Sequence, residues 1–226
     1  MNDVVYVYKE NVKGGINLKY SLRSLCNIKH RKVFIVGDLP DWVNNITYIP
    51  FDFSEKGNRV VNVFNQIKKA CQHGEVSEDF ILFNDDYYVL KPIGKLNYYI
   101  RGKEPKKNKS YYYKSWMRTK DLFGDDFKSF CPLHTPIIYN KKKFLELFEK
   151  FDINKKYAHK SLYGNYHKIS DCEVIGDSKV KSVGVFQRAV NNKDRVFLST
   201  INKVERSPNF EFEMDKLFPN KSFYEK

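Results

Sequence analysis

The chain has 226 residues, 42% of them hydrophobic and 16% aromatic, with a net charge of +13 from 40 basic and 27 acidic side chains. The apolar and aromatic content excludes a disordered chain, and the length suffices for one substantial core with no Pro-, Gly- or Ser-rich linker to divide it. The charge is mostly lysine, which admits three readings: a nucleic-acid or anionic-membrane partner, a basic wall around a nucleotide, or a compositional bias toward Lys, Asn, Ile and Tyr.

In chain order, Asp3 to Tyr8 alternates and is rich in β-formers, which predicts a first strand followed by a loop over Lys9 to Gly15. Leu18, Leu22 and Leu25 recur at helical spacing and predict a helix from Asn17 to Ile28. Val33 to Val36 reads as a second strand, Gly37-Asp38-Leu39-Pro40 as a turn, and Ile46 to Ile49 as a third strand ended by Pro50. Val60, Phe64, Ile67 and Cys71 share one face of a helix that stops near Gly74. The unbroken apolar run from Phe80 to Phe83 suits a strand in a sheet covered on both faces.

Residues 94–130 show no clear period and carry Lys103, Lys106, Lys107 and Lys109 beside Tyr111, Tyr112, Tyr113 and Trp116. This segment reads as an insertion or lid, either a surface for phosphates and bases or a solvated loop anchored by its aromatics. Phe144, Leu147, Phe148 and Phe151 define an amphipathic helix from Lys141 to Phe151 whose stripe is core. The series strand, helix, strand, turn, strand, helix, strand is that of the α/β class, a central mostly parallel sheet flanked by helices. In such sheets ligands gather beyond the carboxyl ends of the strands.

Asn84, Asp85 and Asp86 fall at such an end. Adjacent carboxylates repel unless a cation lies between them; a hard ion such as Mg²⁺ or Mn²⁺ takes one or two carboxylates and completes its shell with water and phosphate oxygens. The pair therefore reads either as a metal site for a nucleotide diphosphate or as an ordinary polar turn. Cys26, Cys71, Cys131 and Cys172 include no Cys-x-x-Cys pair, which argues against zinc or redox spacing and for reduced, mostly packed thiols. No run approaches the ~20 apolar residues of a membrane span, and the start lacks the features of a signal peptide, so a cytoplasmic protein is expected.

Several segments resemble the Stealth family, which includes capsular polysaccharide phosphotransferases and N-acetylglucosamine-1-phosphotransferase. Asp3-Val4-Val5-Tyr6 is similar to the family's opening strand, with Val7-Tyr8-Lys9 where Trp-Val-Asp is usual. Tyr20 to Leu25, Val33 to Asp38 with Pro40-Asp41-Trp42, and Phe80 to Asp86 with Lys91-Pro92 resemble its second region. His134-Thr135-Pro136 resembles the third. Leu198 to Asn202, with Leu217 to Lys226, resembles the fourth, where Lys203 replaces a common acidic residue.

The resemblance covers most of the chain and implies a glycosyltransferase-A-like domain over residues 1–226 and metal-dependent transfer from a nucleotide-sugar donor. The group transferred is a sugar-1-phosphate or a sugar, and the acceptor is a hydroxyl on a glycan. The alternatives are sugar transfer to nucleic acid and a non-catalytic basic nucleic-acid-binding module. On this reading Asp85 and Asp86 hold Mg²⁺ or Mn²⁺, Asn84 orients a ligand, and His134 is the general base. Arg23 and Lys160 are candidates to bind phosphate or sugar, against an ordinary surface role. Asp38 is a candidate nucleoside contact, against a turn cap. Asn202 belongs to the fourth-region match; Gln187, Arg188, His159, His167 and Asp171 are weaker candidates.

Overall fold

The computed structural model describes residues 1–53 and 58–226. Strands β1 (Asp3–Tyr8) and β2 (Val33–Gly37) flank helix α1 (Ile16–Ser24) in sequence; β3 (Thr47–Pro50), helix α2 (Arg59–Gln72) and β4 (Asp79–Asn84) follow. Those strands are parallel, and with an antiparallel edge strand after them, here β7 (Ile137–Asn140), they form a five-stranded sheet of order β3-β2-β1-β4-β7. The α/β class with a mostly parallel sheet is therefore as expected, and strand bounds agree with the sequence reading to within a residue or two.

The inner strands β1, β2 and β4 are buried on both faces because they carry consecutive and not alternate apolar residues, whereas the edge strand β3 leaves Tyr48 and Pro50 exposed. Val5, Val7, Phe34, Val36, Phe80 and Leu82 pack against α2 and against helices α4 (Lys141–Lys150) and α5 (His159–Tyr166). The alternate set, Val4, Tyr6, Tyr8, Ile35, Ile81 and Phe83, packs against Leu18, Leu22 and Leu25 of the first helical segment. A third apolar cluster gathers Tyr20 and Tyr88 with the C-terminal helices α6 (Val183–Val190) and α8 (Pro208–Leu217).

Small sheets bring the second half of the chain to the main one. β5 (Tyr87–Val89) pairs antiparallel with β9 (Phe197–Ser199), and β6 (Tyr98–Arg101) pairs parallel with β8 (Cys172–Ile175). Residues 94–130 depart from the expected irregular insertion. They include β6 and a 13-residue helix α3 (Tyr111–Phe123), capped by the Ser110 hydroxyl and buried on Ser115, Trp116 and Thr119. The Trp116 indole donates to the Ser129 hydroxyl at 2.8 Å. Two of that helix's three buried positions are polar, so no apolar stripe announces it. The cysteines are unpaired; Cys71 is buried and Cys26 exposed. Among the described residues no helix is long and apolar enough to cross a membrane.

Candidate functional site

The carboxyl ends of β1, β2 and β4 meet at one edge of the sheet. Gly37 closes β2 with φ of 134°, and a Cβ there would come within 1.8 Å of the Tyr8 carbonyl oxygen, so only glycine allows the two strand ends to lie this close. Asp38 accepts a hydrogen bond from the Glu10 amide at 2.8 Å and donates its own amide to the Tyr8 carbonyl at 3.2 Å. It is the turn cap of the two alternatives. Asn84, the last residue of β4, stands opposite Val7 in the ladder.

Asp85 and Asp86 occupy the turn between β4 and β5, and different parts of the chain receive them. Asp85 falls on the α1 face, where the side-chain amide of Asn17, near the start of α1, donates to its Oδ2. Asp86 Oδ2 accepts from the Lys179 ammonium and, at 2.9 Å, from the Ser199 hydroxyl at the end of β9. Glu205, the last residue of helix α7 (Asn202–Glu205), joins them: its Oε1 accepts from the Thr200 hydroxyl at 2.7 Å, and Thr200 in turn accepts from Tyr88. Burial, and then the neighbouring Asp86 and Glu205 carboxylates, hold Asp85 well above the usual carboxylate range. Burial also pushes Glu205 up to about 7, with the Asp86 charge adding to it.

Three buried polar atoms around these carboxylates have no hydrogen-bond partner among the described residues: the Tyr8 hydroxyl, Asn17 Oδ1 and Glu205 Oε2. The Tyr8 hydroxyl is held far above its ordinary pKa by burial first and by the Asp85 charge next. Tyr8, Asn17 and Glu205 are 0%, 2% and 4% exposed. Unpaired buried polar atoms are costly, so a group of them beside negative charge marks a place built for something else to bind. The donor chemistry fits a hard divalent cation, since carboxylate and amide oxygens are what Mg²⁺ and Mn²⁺ take. Among the described residues no three His, Cys, Asp or Glu side chains converge to cage a metal alone, so the fit is to an open site completed by water and ligand oxygens.

His134 lies beside this cluster. Its ring packs edge-on against Tyr87, the residue after Asp86, with centroids 6.4 Å apart. His134 Nδ1 is 2.7 Å from Asp177 Oδ1. Burial raises the Asp177 pKa, but the His134 hydrogen bond and charge outweigh it and hold this carboxyl below its ordinary value. An ionised carboxylate accepts, so Nδ1 carries a proton, and in the neutral imidazole Nε2 is then the nitrogen with the lone pair.

Lys160 does not present its charge to a ligand. It is 3% exposed and donates to the carbonyls of Leu133, at 3.0 Å, and Thr135, and to the Tyr87 hydroxyl at 3.3 Å. Burial pulls its ammonium down to about 8. It clamps the two peptides flanking His134. Arg23 is likewise a correction to the phosphate-binding expectation. Its guanidinium makes two 2.9 Å bonds to Glu225, one of 3.2 Å to Asp215 and one of 3.0 Å to the Phe218 carbonyl, which anchors the C-terminal segment.

Asn202 is exposed at the start of α7, and the site residue there is Glu205, three positions on. His159 is half-buried, with its ring Nδ1 2.7 Å from the Tyr139 hydroxyl, and desolvation pulls it down to about 3. His167 meets the Lys143 carbonyl at 2.8 Å. Gln187 and Arg188 lie on the exposed face of α6, and Asp171 is exposed. The sequence reading missed Tyr8, Asn17, Asp177, Lys179, Ser199 and Glu205. Of these only Ser199 fell within a segment it had singled out near the C-terminus.

No protein-family model matches the chain, and no curated protein matches it in sequence. Among solved structures it is similar to galactosyltransferase LgtC, determined in complex with donor and acceptor sugar analogues, at a TM-score of 0.56 and 9% identity, over 95% of each chain. It is also similar to glycosyltransferase GlyE of Streptococcus pneumoniae TIGR4, at a TM-score of 0.45 and 11% identity, over 96% of this chain and 63% of that one. The apo form of GlyE gives the same TM-score of 0.45 at 12% identity. The fold is glycosyltransferase-A-like, and the carboxylate cluster lies at the strand edge where open α/β sheets bind ligands.

Proposed function

We propose that this protein is a nucleotide-sugar-dependent transferase that moves a sugar, or a sugar-1-phosphate, onto a hydroxyl of a glycan acceptor. The observation that carries the reading is the group of buried, unpartnered polar atoms around Asp85, Asp86 and Glu205 at the carboxyl edge of the sheet. A polar ligand that brings positive charge, such as a metal-bound diphosphate, satisfies that group, whereas a purely structural cluster would have paired it internally. The fold shared with LgtC supports the same class.

Asp85 and Asp86 hold Mg²⁺ or Mn²⁺, with Asn17 Oδ1 and the Tyr8 hydroxyl available to its water shell. Bound there, the ion neutralises charge on the leaving phosphate as a Lewis acid. His134 Nε2 removes the proton from the acceptor hydroxyl as its oxygen attacks. Attack at the anomeric carbon breaks the bond to the nucleoside diphosphate; attack at the adjacent phosphorus releases the nucleoside monophosphate. Asp177 fixes the His134 tautomer and steadies the cation formed when the proton arrives.

The test is incubation with UDP-, CDP- and GDP-sugars and Mg²⁺ or Mn²⁺, with the released nucleotide measured beside an Asp86→Asn control. Metal-dependent release that the control lacks supports the reading, and monophosphate or diphosphate identifies the bond broken. No release and no calorimetric donor binding with any of them would overturn it.

A further inference from the structure

Among the described residues the cluster of three carboxylates, Asp85, Asp86 and Glu205, has one ammonium in hydrogen-bond contact, that of Lys179, and the backbone beneath it is fixed. Lys179 pairs as a bridge with Ser199, and the adjoining Val180 amide donates to the Ser199 carbonyl at 2.7 Å while the Ser199 amide donates to Ser178 at 3.1 Å. The Lys179 amide itself donates to Asp177 Oδ1 at 3.2 Å. Only the four-carbon stem is left to move, and its head meets the same Asp86 oxygen that Ser199 contacts. Both side chains are nearly enclosed, Lys179 at 14% and Asp86 at 15% exposure.

We propose that Lys179 is a tethered cation that occupies Asp86 in the absence of a divalent ion and competes with that ion for the carboxylate. The inference rests on the metal-binding part of the proposed function. An ammonium is a compact point charge on a flexible stem, suited to vacate a carboxylate without disturbing its backbone. Among the described residues the neighbouring Asp85 and Glu205 carboxylates have no ammonium in hydrogen-bond contact, so without Lys179 the Asp86 carboxylate would lose its paired cation beside two further acids. Displaced, the ammonium remains within reach of the phosphates that arrive with the metal. Lys179 therefore keeps the empty site folded and lowers its affinity for free metal, so that binding of metal together with a diphosphate is favoured over metal alone.

The experiment is Mn²⁺ titration, by calorimetry and by the loss of the free-ion paramagnetic resonance signal, of the full chain, Lys179→Met, Lys179→Arg, Asp86→Asn and the Lys179→Met/Asp86→Asn double variant. Lys179→Met keeps the stem and removes the charge. It is expected to tighten Mn²⁺ binding about tenfold, the low end of what a charge-assisted hydrogen bond contributes. Lys179→Arg keeps the weak affinity, and the double variant gains nothing over Asp86→Asn. Circular dichroism controls for folding. Unchanged or weaker binding in a folded Lys179→Met, with Asp86-dependent binding in the parent, overturns the competition and leaves the proposed function standing. If neither parent nor Lys179→Met binds Mn²⁺, the metal reading fails and the competition with it.

Discussion

Helix α1 carries an ionic group at each end. Near its C-terminus Arg23 meets Glu225, Asp215 and the Phe218 carbonyl, and every hydrogen bond of that anchor is closed within the chain. Near its N-terminus Asn17 meets Asp85, and there, among the described residues, acidic side chains outnumber the one lysine in contact while three buried polar atoms lack partners. Both are largely buried, so exposure does not separate them. Completeness does: a closed ion pair stabilises the fold, whereas an open cluster of like charge is tolerated only where a ligand completes it. The same contrast explains why Arg23, a candidate phosphate or sugar ligand on the first helix, is held instead as an anchor of the C-terminal segment.

The largest effects should come from exchanging the two behaviours. Asp86→Asn and Asp85→Asn are expected to reduce nucleotide-sugar turnover on the order of 10³-fold, because charge stabilisation of the leaving group is lost. Asp85→Asn should also raise the melting temperature by relieving a buried carboxylate held against two others, whereas Asp86→Asn removes the partner of Lys179 and is read by turnover alone. A cluster that exists for stability would give the reverse, a lower melting temperature with turnover intact.

Next in size is Arg23→Met, which leaves Glu225 buried without its partner. The expected cost is about 3 kcal/mol, or roughly 6–12 °C in melting temperature for a chain of this size, with KM for donor unchanged in the remaining folded protein. A loss of donor affinity without loss of stability would return Arg23 to the site.

The two ends of α1 should also respond to pH with opposite sign. Glu205, pushed up to about 7 from 4.5, keeps a proton in the folded state that the unfolded chain has lost. Its contribution is present below the unfolded value and disappears as pH rises through 7. For Glu225, burial raises the pKa but the Arg23 and Ser222 hydrogen bonds outweigh it, so its contribution is present above the unfolded value and lost as pH falls. Urea midpoints should therefore fall as pH rises from 4.5 to about 7 in a way that Glu205→Gln flattens, with a slope of at most about 1.4 kcal/mol per pH unit. A parent and Glu205→Gln with parallel profiles would place the titration elsewhere.

The sheet was legible because its strands are unbroken apolar runs, Val33 to Val36 and Phe80 to Phe83, whose ends fix where Asp85 and Asp86 must lie. His134 was legible only through the resemblance; the carboxylate that orients it was not. Asp177 and Lys179 belong to a short extended stretch that has no periodicity of its own and is held by bonds to Ser199, more than 15 residues away in sequence. Glu205 ends a helix of four residues, too short to show a period, and the family resemblance points instead to Asn202 and to Lys203. Local pattern reports what a segment buries. It does not report which distant carboxylate a side chain will meet.

The smallest effect separates the roles of the two residues that stand two apart on that stretch. Lys179 answers to the Asp86 charge, while Asp177 acts on His134 through one 2.7 Å contact and touches no substrate in the proposed reaction. Asp177→Asn removes the carboxylate that fixes the Nδ1 proton, which should lower kcat about tenfold with KM for donor unchanged. Asp177→Glu should recover most of the rate, because the carboxylate is what the tautomer requires. A structural role for Asp177 predicts none of this: kcat per folded molecule would hold and the loss would appear as reduced stability. If KM rises and kcat holds, Asp177 positions donor instead of base, and His134 loses its assignment.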